Sequence, residues 1–94
     1  MPSVNVLPFD ANLGYPQRQR VKIDNEAYDC FYRWNSNGFC VLKIVRVEDS
    51  KIVFNGKLCK LTPWEAKDPA TYEILFTMLP YDINESKADI WVFW

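Results

Sequence analysis

Tyr28-Asp29-Cys30-Phe31-Tyr32-Arg33-Trp34-Asn35, continued by Ser36-Asn37-Gly38 and the apolar run from Phe39 to Val45, is the stretch on which the fold turns. Side chains alternate across a strand with period two. Tyr28, Cys30, Tyr32 and Trp34 therefore share one face, and Asp29, Phe31 and Arg33 share the other. The first face is fit for burial. Asn35 to Gly38 tolerate the left-handed backbone angles that a tight reversal needs. The chain then returns with Cys40, Leu42 and Ile44 on one side and Val41, Lys43 and Val45 on the other. This pattern predicts an antiparallel hairpin with an aromatic core face and a second strand that is apolar on nearly both sides.

Upstream, Gln17 to Asp24 alternates in the same way, with Val21 and Ile23 against Arg18, Arg20 and Lys22. It reads as a half-exposed strand, ended by the turn residues Asp24-Asn25-Glu26. Met1 to Pro16 carries Pro2, Pro8, Pro16 and Gly14 and predicts an extended arm. Its Val4, Val6 and Phe9 make at most a short edge strand broken at Pro8, and the arm either packs on its own domain or reaches a neighbouring subunit.

Downstream, Glu48-Asp49-Ser50 is a polar loop, and Asn55-Gly56 sits between the runs Lys51 to Phe54 and Lys57 to Leu61. That dipeptide between apolar runs predicts a second hairpin with a type I′ turn. Thr62-Pro63-Trp64-Glu65 has the spacing of a helix start: Thr as N-cap, Pro where no donor is required, and Glu to complete a capping box. Asp68-Pro69 stops it, so a single helical turn or a capped loop is expected, with Trp64 tucked against the sheet. Thr71 to Leu79 reads as a strand closed by Pro80, and Tyr81 to Lys87 as a loop. Ala88 to Trp94 is apolar on both faces, which calls for a last strand held inside a sheet or an interface.

The expected architecture is all-β: a small antiparallel sandwich or barrel of six to seven strands. A chain of 94 residues supports one core, giving an extended arm over 1–16 and a single β domain over 17–94. An aromatic content of 16%, with four Trp, suits half-buried pleated surfaces.

Composition narrows the chemistry. The absence of His removes the usual general base, the Ser-His and Cys-His pairs and the commonest zinc ligand. Asp24, Glu26, Asp29, Glu48 and Asp49 leave a two-carboxylate mechanism formally open, but they lie mainly at turns and read as solvated groups. Gly14, Gly38 and Gly56 are isolated, so there is no phosphate-cradling loop. Three cysteines without a close pair indicate reduced thiols, and Cys40 and Cys59, set in strand patterns, read as small core residues. Asn84-Glu85-Ser86 fits the glycosylation sequon, and with no signal peptide expected a chance match is the preferred reading. No apolar run approaches the ~20 residues of a membrane span. The expectation is a non-enzymatic protein, without cofactor or metal, made and folded in a cytoplasm.

A net charge of −1 argues against bulk attraction to nucleic acid or an anionic membrane. The best binding chemistry is local: Arg18, Arg20, Lys22 and Arg33 near Tyr28, Tyr32 and Trp34. Such a set on a small OB-like barrel would stack single-stranded nucleic acid if both kinds of side chain shared a surface. Alternation places the aromatics opposite Arg33, so an aromatic core with a solvated basic face is the preferred reading.

The segment Ile23-Asp24-Asn25-Glu26-Ala27-Tyr28, then Phe31-Tyr32-Arg33-Trp34-Asn35, then Gly38 with Cys40-Val41-Leu42-Lys43-Ile44, resembles the baseplate plug domain family of simple contractile-tailed phages and phage-tail-like bacteriocins. Arg33-Trp34-Asn35 is its most distinctive piece. The resemblance continues through Ile52 to Leu61 and Ile90 to Trp94, covering most of the chain after Gln17. Phe39-Cys40 and the Pro-rich arm depart from the family pattern. The resemblance implies a structural subunit at the tail tip that joins the central hub or spike to surrounding baseplate, tube or wedge proteins. It further implies a homo-oligomer of three or six copies in the particle. The residues expected to meet partners are Val4, Val6 and Phe9 in the arm, Arg18, Arg20 and Arg33 on the basic face, and Trp91, Phe93 and Trp94 in the final strand.

Overall fold

The alternating segments at the centre of the chain form three antiparallel strands, β2 (Gln17–Ile23), β3 (Glu26–Asn35) and β4 (Phe39–Arg46), in a computed structural model that describes residues 3–94. Asp24 and Asn25, both at positive φ (51° and 65°), make the two-residue turn between Ile23 and Glu26. At the second turn Gly38 takes φ 97°, its N–H donates to the Asn35 carbonyl at 2.9 Å, and the Asn35 side chain accepts from the Asn37 N–H at 2.8 Å. A left-handed position filled by Gly and a side-chain acceptor at the turn's first residue together set the register that buries alternate residues of β3. Tyr28, Cys30 and Tyr32 are buried, as are Cys40, Leu42 and Ile44 on β4.

The remaining strands are β1 (Val4–Val6), β5 (Ile52–Leu58), β6 (Trp64–Lys67), β7 (Ile74–Asn84) and β8 (Lys87–Phe93). They complete two four-stranded antiparallel sheets, ordered β1-β8-β7-β6 and β2-β3-β4-β5. The inward residues of both sheets form one core, in which Phe76, Met78, Ile90 and Val92 face the β3 and β4 set. The Tyr28 and Phe76 rings meet edge to face at 5.2 Å. Each fully buried large apolar side chain contributes roughly 1.5–3 kcal/mol. Of the architectures expected, the molecule is thus the sandwich, with eight strands rather than six to seven.

Four local expectations are overturned. Asn55-Gly56 makes no hairpin: β5 runs straight through, with Asn55 opposite Lys43 and Gly56 opposite Leu42. Pairing with β4 supplies backbone partners that an isolated two-strand reversal would forgo. The Phe54 ring covers the space above Gly56, its Cζ lying 3.7 Å from where a Cβ would be. Register shifts at a bulge between Ile44 and Val45, which leaves Val53 as the extra residue, buried.

The capping sequence Thr62 to Glu65 starts no helix, and there is none among the described residues. Trp64 to Lys67 pairs with β7 instead, burying Ala66 opposite Phe76. A stop at Asp68-Pro69 leaves too few residues for a helix to repay its nucleation, whereas an edge strand gains partners at once. Trp64 is 37% exposed and packs on Phe54, with ring centroids 6.0 Å apart, rather than being tucked in.

Pro80 does not end its strand, and residues 81–84 are strand rather than loop. The register shifts between Pro80 and Asp82, so the missing donor falls at a bulge, while the Pro80 carbonyl accepts from the Leu61 N–H at 2.7 Å. The real reversal is Glu85-Ser86, where the Asn84 side chain accepts from the N–H groups of Ser86 and Lys87 at 2.8 and 3.0 Å.

Last, Cys59 is exposed just past the end of β5, not in the core. The segment before β2 packs on its own domain. β1 pairs with β8, Leu7 is buried, and the Tyr32 hydroxyl donates to the Pro8 carbonyl at 2.7 Å.

Candidate functional site

The two sheets turn outward faces of different chemistry. On the β1-β8-β7 side, register sets Val6, Trp91 and Leu79 in one row across three strands, and Val4, Phe93 and Thr77 in the next. Val4 is 56% exposed, Val6 45% and Trp91 40%, and Tyr81, also exposed, sets its ring 6.1 Å from that of Trp91. Alternation forces this, because Ile90 and Val92 point into the core and the other residues of the apolar run Ile90 to Phe93 must point out. The result is a contiguous apolar surface, of the kind that marks protein interaction sites when it is not scattered. Val4, Val6, Trp91 and Phe93, named separately from the sequence, come together here. Leu79 and Tyr81 join them: Leu79 lay in the expected strand but its place beside Trp91 needs the β7-β8 register, and Tyr81 was hidden because Pro80 read as the strand's end.

The outward face of the other sheet is basic. The rows Arg18, Phe31, Lys43, Asn55 and Arg33, Val41, Lys57 run across it, with Arg20, Asp29 and Val45 in a third. Arg20 holds Asp29 through two hydrogen bonds, at 2.9 and 3.2 Å. That contact keeps the Asp29 carboxyl below its usual range. Lys43 lies over the Phe31 ring at 4.9 Å and Lys57 over the Phe39 ring at 4.6 Å. Arg18, Arg20 and Arg33 therefore share one face, on the opposite side of the molecule from Trp91.

Phe9 and Trp94 belong to neither surface. Phe9 packs its ring against Tyr15 and Tyr32, both at 5.1 Å, and Trp94 lies half-buried against the core with its backbone paired to Ser3. Trp34, expected in the core, is half-buried at one end of the sandwich. Its ring packs tilted against Tyr15, centroids 5.6 Å apart, and it lines an open cleft of about 640 Å³ with Tyr15, Pro16, Arg33, Glu85 and Ser86. The Tyr15 hydroxyl reaches the Asn84 and Lys87 carbonyls at 3.2 and 3.1 Å, and burial pushes its acidity well below that of a free phenol.

Of the carboxylates singled out from the sequence, Asp24, Glu48 and Asp49 lie at turns and Glu26 and Asp29 on β3. A hydrogen bond with Glu48 raises the Glu26 carboxyl above its usual range. Asp49 is held down to about 2 by its hydrogen bond with Arg46. Arg46 donates to Asp49 at 2.7 Å and to Asp68 at 2.9 Å, which ties β4 to the loop after β6. Burial pushes the Cys30 thiol up to about 12 and the Cys40 thiol to about 11, so neither is a thiolate near neutrality. Comparison with protein-family models, curated proteins and solved structures finds no match to this chain.

Proposed function

We propose that the chain is a structural subunit of a contractile phage baseplate, or of a phage-tail-like particle. In this reading it joins the central hub or spike to surrounding baseplate proteins through protein contacts and performs no catalysis. The particle would hold several copies and be assembled in the bacterial host cytoplasm. The family part of the reading rests on the resemblance carried by Ile23 to Ile44, with Arg33-Trp34-Asn35 at its centre. The assembly part is carried by one observation, the apolar row of Val6, Trp91 and Leu79 lying outward across β1, β8 and β7. A face of this kind gains by being covered, at roughly 25 cal/mol for each Å² of apolar area removed from water.

Trp91→Asp places a charge in the middle of that row without touching the core. The variant is expected to keep the wild-type circular dichroism spectrum and to fall about tenfold or more in incorporation into purified particles, read by immunoblot. Particles with normal tails from a host lacking the protein would remove the baseplate role.

A further inference from the structure

We propose that the outward face of the β2-β3-β4-β5 sheet docks a carboxylate-rich surface of a partner protein. Arg18, Arg20, Lys22, Arg33, Lys43 and Lys57 lie on it, six of the chain's eleven Lys and Arg, together with Asp29, one of twelve Asp and Glu. A chain of net charge −1 thus carries a strongly positive face on an otherwise acidic body. Among the described residues, Arg20 is the only one of the six with a carboxylate within ion-pair distance.

Edge protection accounts for part of this set, since charged side chains on an edge strand such as β2 discourage pairing with other chains. It does not account for Arg33 and Lys43, which stand on the two central strands. Like charges held close together on a sheet repel one another, and a polyanionic partner relieves that repulsion while gaining complementarity.

The occupant's class follows from what lies between the cations. Phe31 and Phe39 are capped by the ammonium groups of Lys43 and Lys57, so stacked bases would have to displace them. Val41 stands between Arg33 and Lys57 in one row, and Val45 lies beside Asp29 in another. A protein surface brings apolar atoms to cover these valines along with carboxylates for the cations; a phosphate backbone brings charge alone. This docking chemistry holds whether or not the assembly is a baseplate, and it uses the face opposite Trp91, so the two readings fail separately.

The test measures fluorescence anisotropy of two labelled probes at low salt, a Glu-rich peptide with interspersed leucines and an oligothymidylate. The wild-type protein is expected to bind the peptide more tightly than the oligonucleotide. The double variant Arg33→Gln/Lys43→Gln is expected to weaken peptide binding about tenfold, and Lys60→Gln/Lys67→Gln, on loop and opposite sheet, to leave it unchanged. Arg18→Gln/Lys22→Gln provides a second probe of the same face should the first variant lose its fold. No peptide binding, or equal loss in the Lys60/Lys67 control, overturns the proposal. Tighter binding of oligothymidylate would assign the face to nucleic acid. Self-association of the protein alone at low salt, abolished by Arg33→Gln/Lys43→Gln in sedimentation, would assign it to a second copy.

Discussion

Tyr32 shows how one side chain fixes both the core and the segment before β2. It has no exposed surface, it lies between β2 and β4 in the sheet, and its hydroxyl donates to the Pro8 carbonyl at 2.7 Å. Tyr32→Phe keeps the ring and removes the donor, leaving the carbonyl without this partner in a partly buried setting. The expected cost is about 1–2 kcal/mol in urea unfolding, with faster amide exchange in β1 and Leu7 than elsewhere. An unchanged midpoint would mean that the contact to Pro8 adds nothing to holding the segment. The cysteines offer a separate check at this scale. Cys30 and Cys40 are buried and their thiols stay protonated, whereas Cys59 is exposed. Iodoacetamide on the native protein is therefore expected to modify Cys59 alone, and all three after denaturation, as read by peptide mass spectrometry.

Among the elements, β5 separates local signal from tertiary outcome. If Asn55-Gly56 were a type I′ turn, Gly56 would need positive φ and Ala there would be strained. In the strand observed, a Cβ at position 56 meets the Phe54 ring at an ordinary 3.7 Å. Gly56→Ala is thus expected to stabilise by about 0.4–1 kcal/mol through the reduced freedom of the unfolded chain. Thermal unfolding decides the sign, and a clear destabilisation would restore the turn. The segments from Gln17 to Val45 were legible because strict alternation and true turn residues, Asp24-Asn25 and Asn35 to Gly38, agree with the pairing they make. Asn55-Gly56, Thr62 to Glu65 and Pro80 were misread for one shared reason. Each carries a local preference whose gain is smaller than that of completing a ladder with β4, β7 or β8. The surfaces followed the same logic. Arg33 and Phe31 could be placed on one face by parity, but joining them to Arg18, Lys43 and Lys57 requires strand order, as does setting Leu79 beside Trp91, and Tyr81 required knowing that β7 passes Pro80.

For the whole molecule, the two sheets are joined by their shared core and, at one end, by Arg46. This side chain leaves β4 and donates to Asp68 in the loop between β6 and β7, and to Asp49 in the loop before β5. Asp49 is held to about 2, and Asp68 is also lowered, first by the Ala70 N–H and then by Arg46. Both groups have folded values below their unfolded ones, so between about pH 4 and 2 the unfolded chain binds more protons. Their contribution is present above the ordinary carboxylate range and is lost as pH falls toward 2. Glu26 works in the opposite direction, because its raised value favours the folded state most where it is protonated. Arg46→Met removes the cation that Asp49 and Asp68 share, and because Arg46 also holds the Glu26 carboxyl down, it lets that group rise further, which narrows the gap toward low pH in the same direction. The wild-type melting temperature is expected to exceed that of Arg46→Met at pH 6, with the gap narrowing as pH falls from 4 to 2. Because Arg46 bridges sheets rather than neighbouring strands, the variant should also loosen the loop between β6 and β7, read as faster exchange at the Ala70 and Thr71 amides that Asp68 accepts from. A gap that stays constant across that pH range would place the value of Arg46 in packing rather than in its two carboxylates.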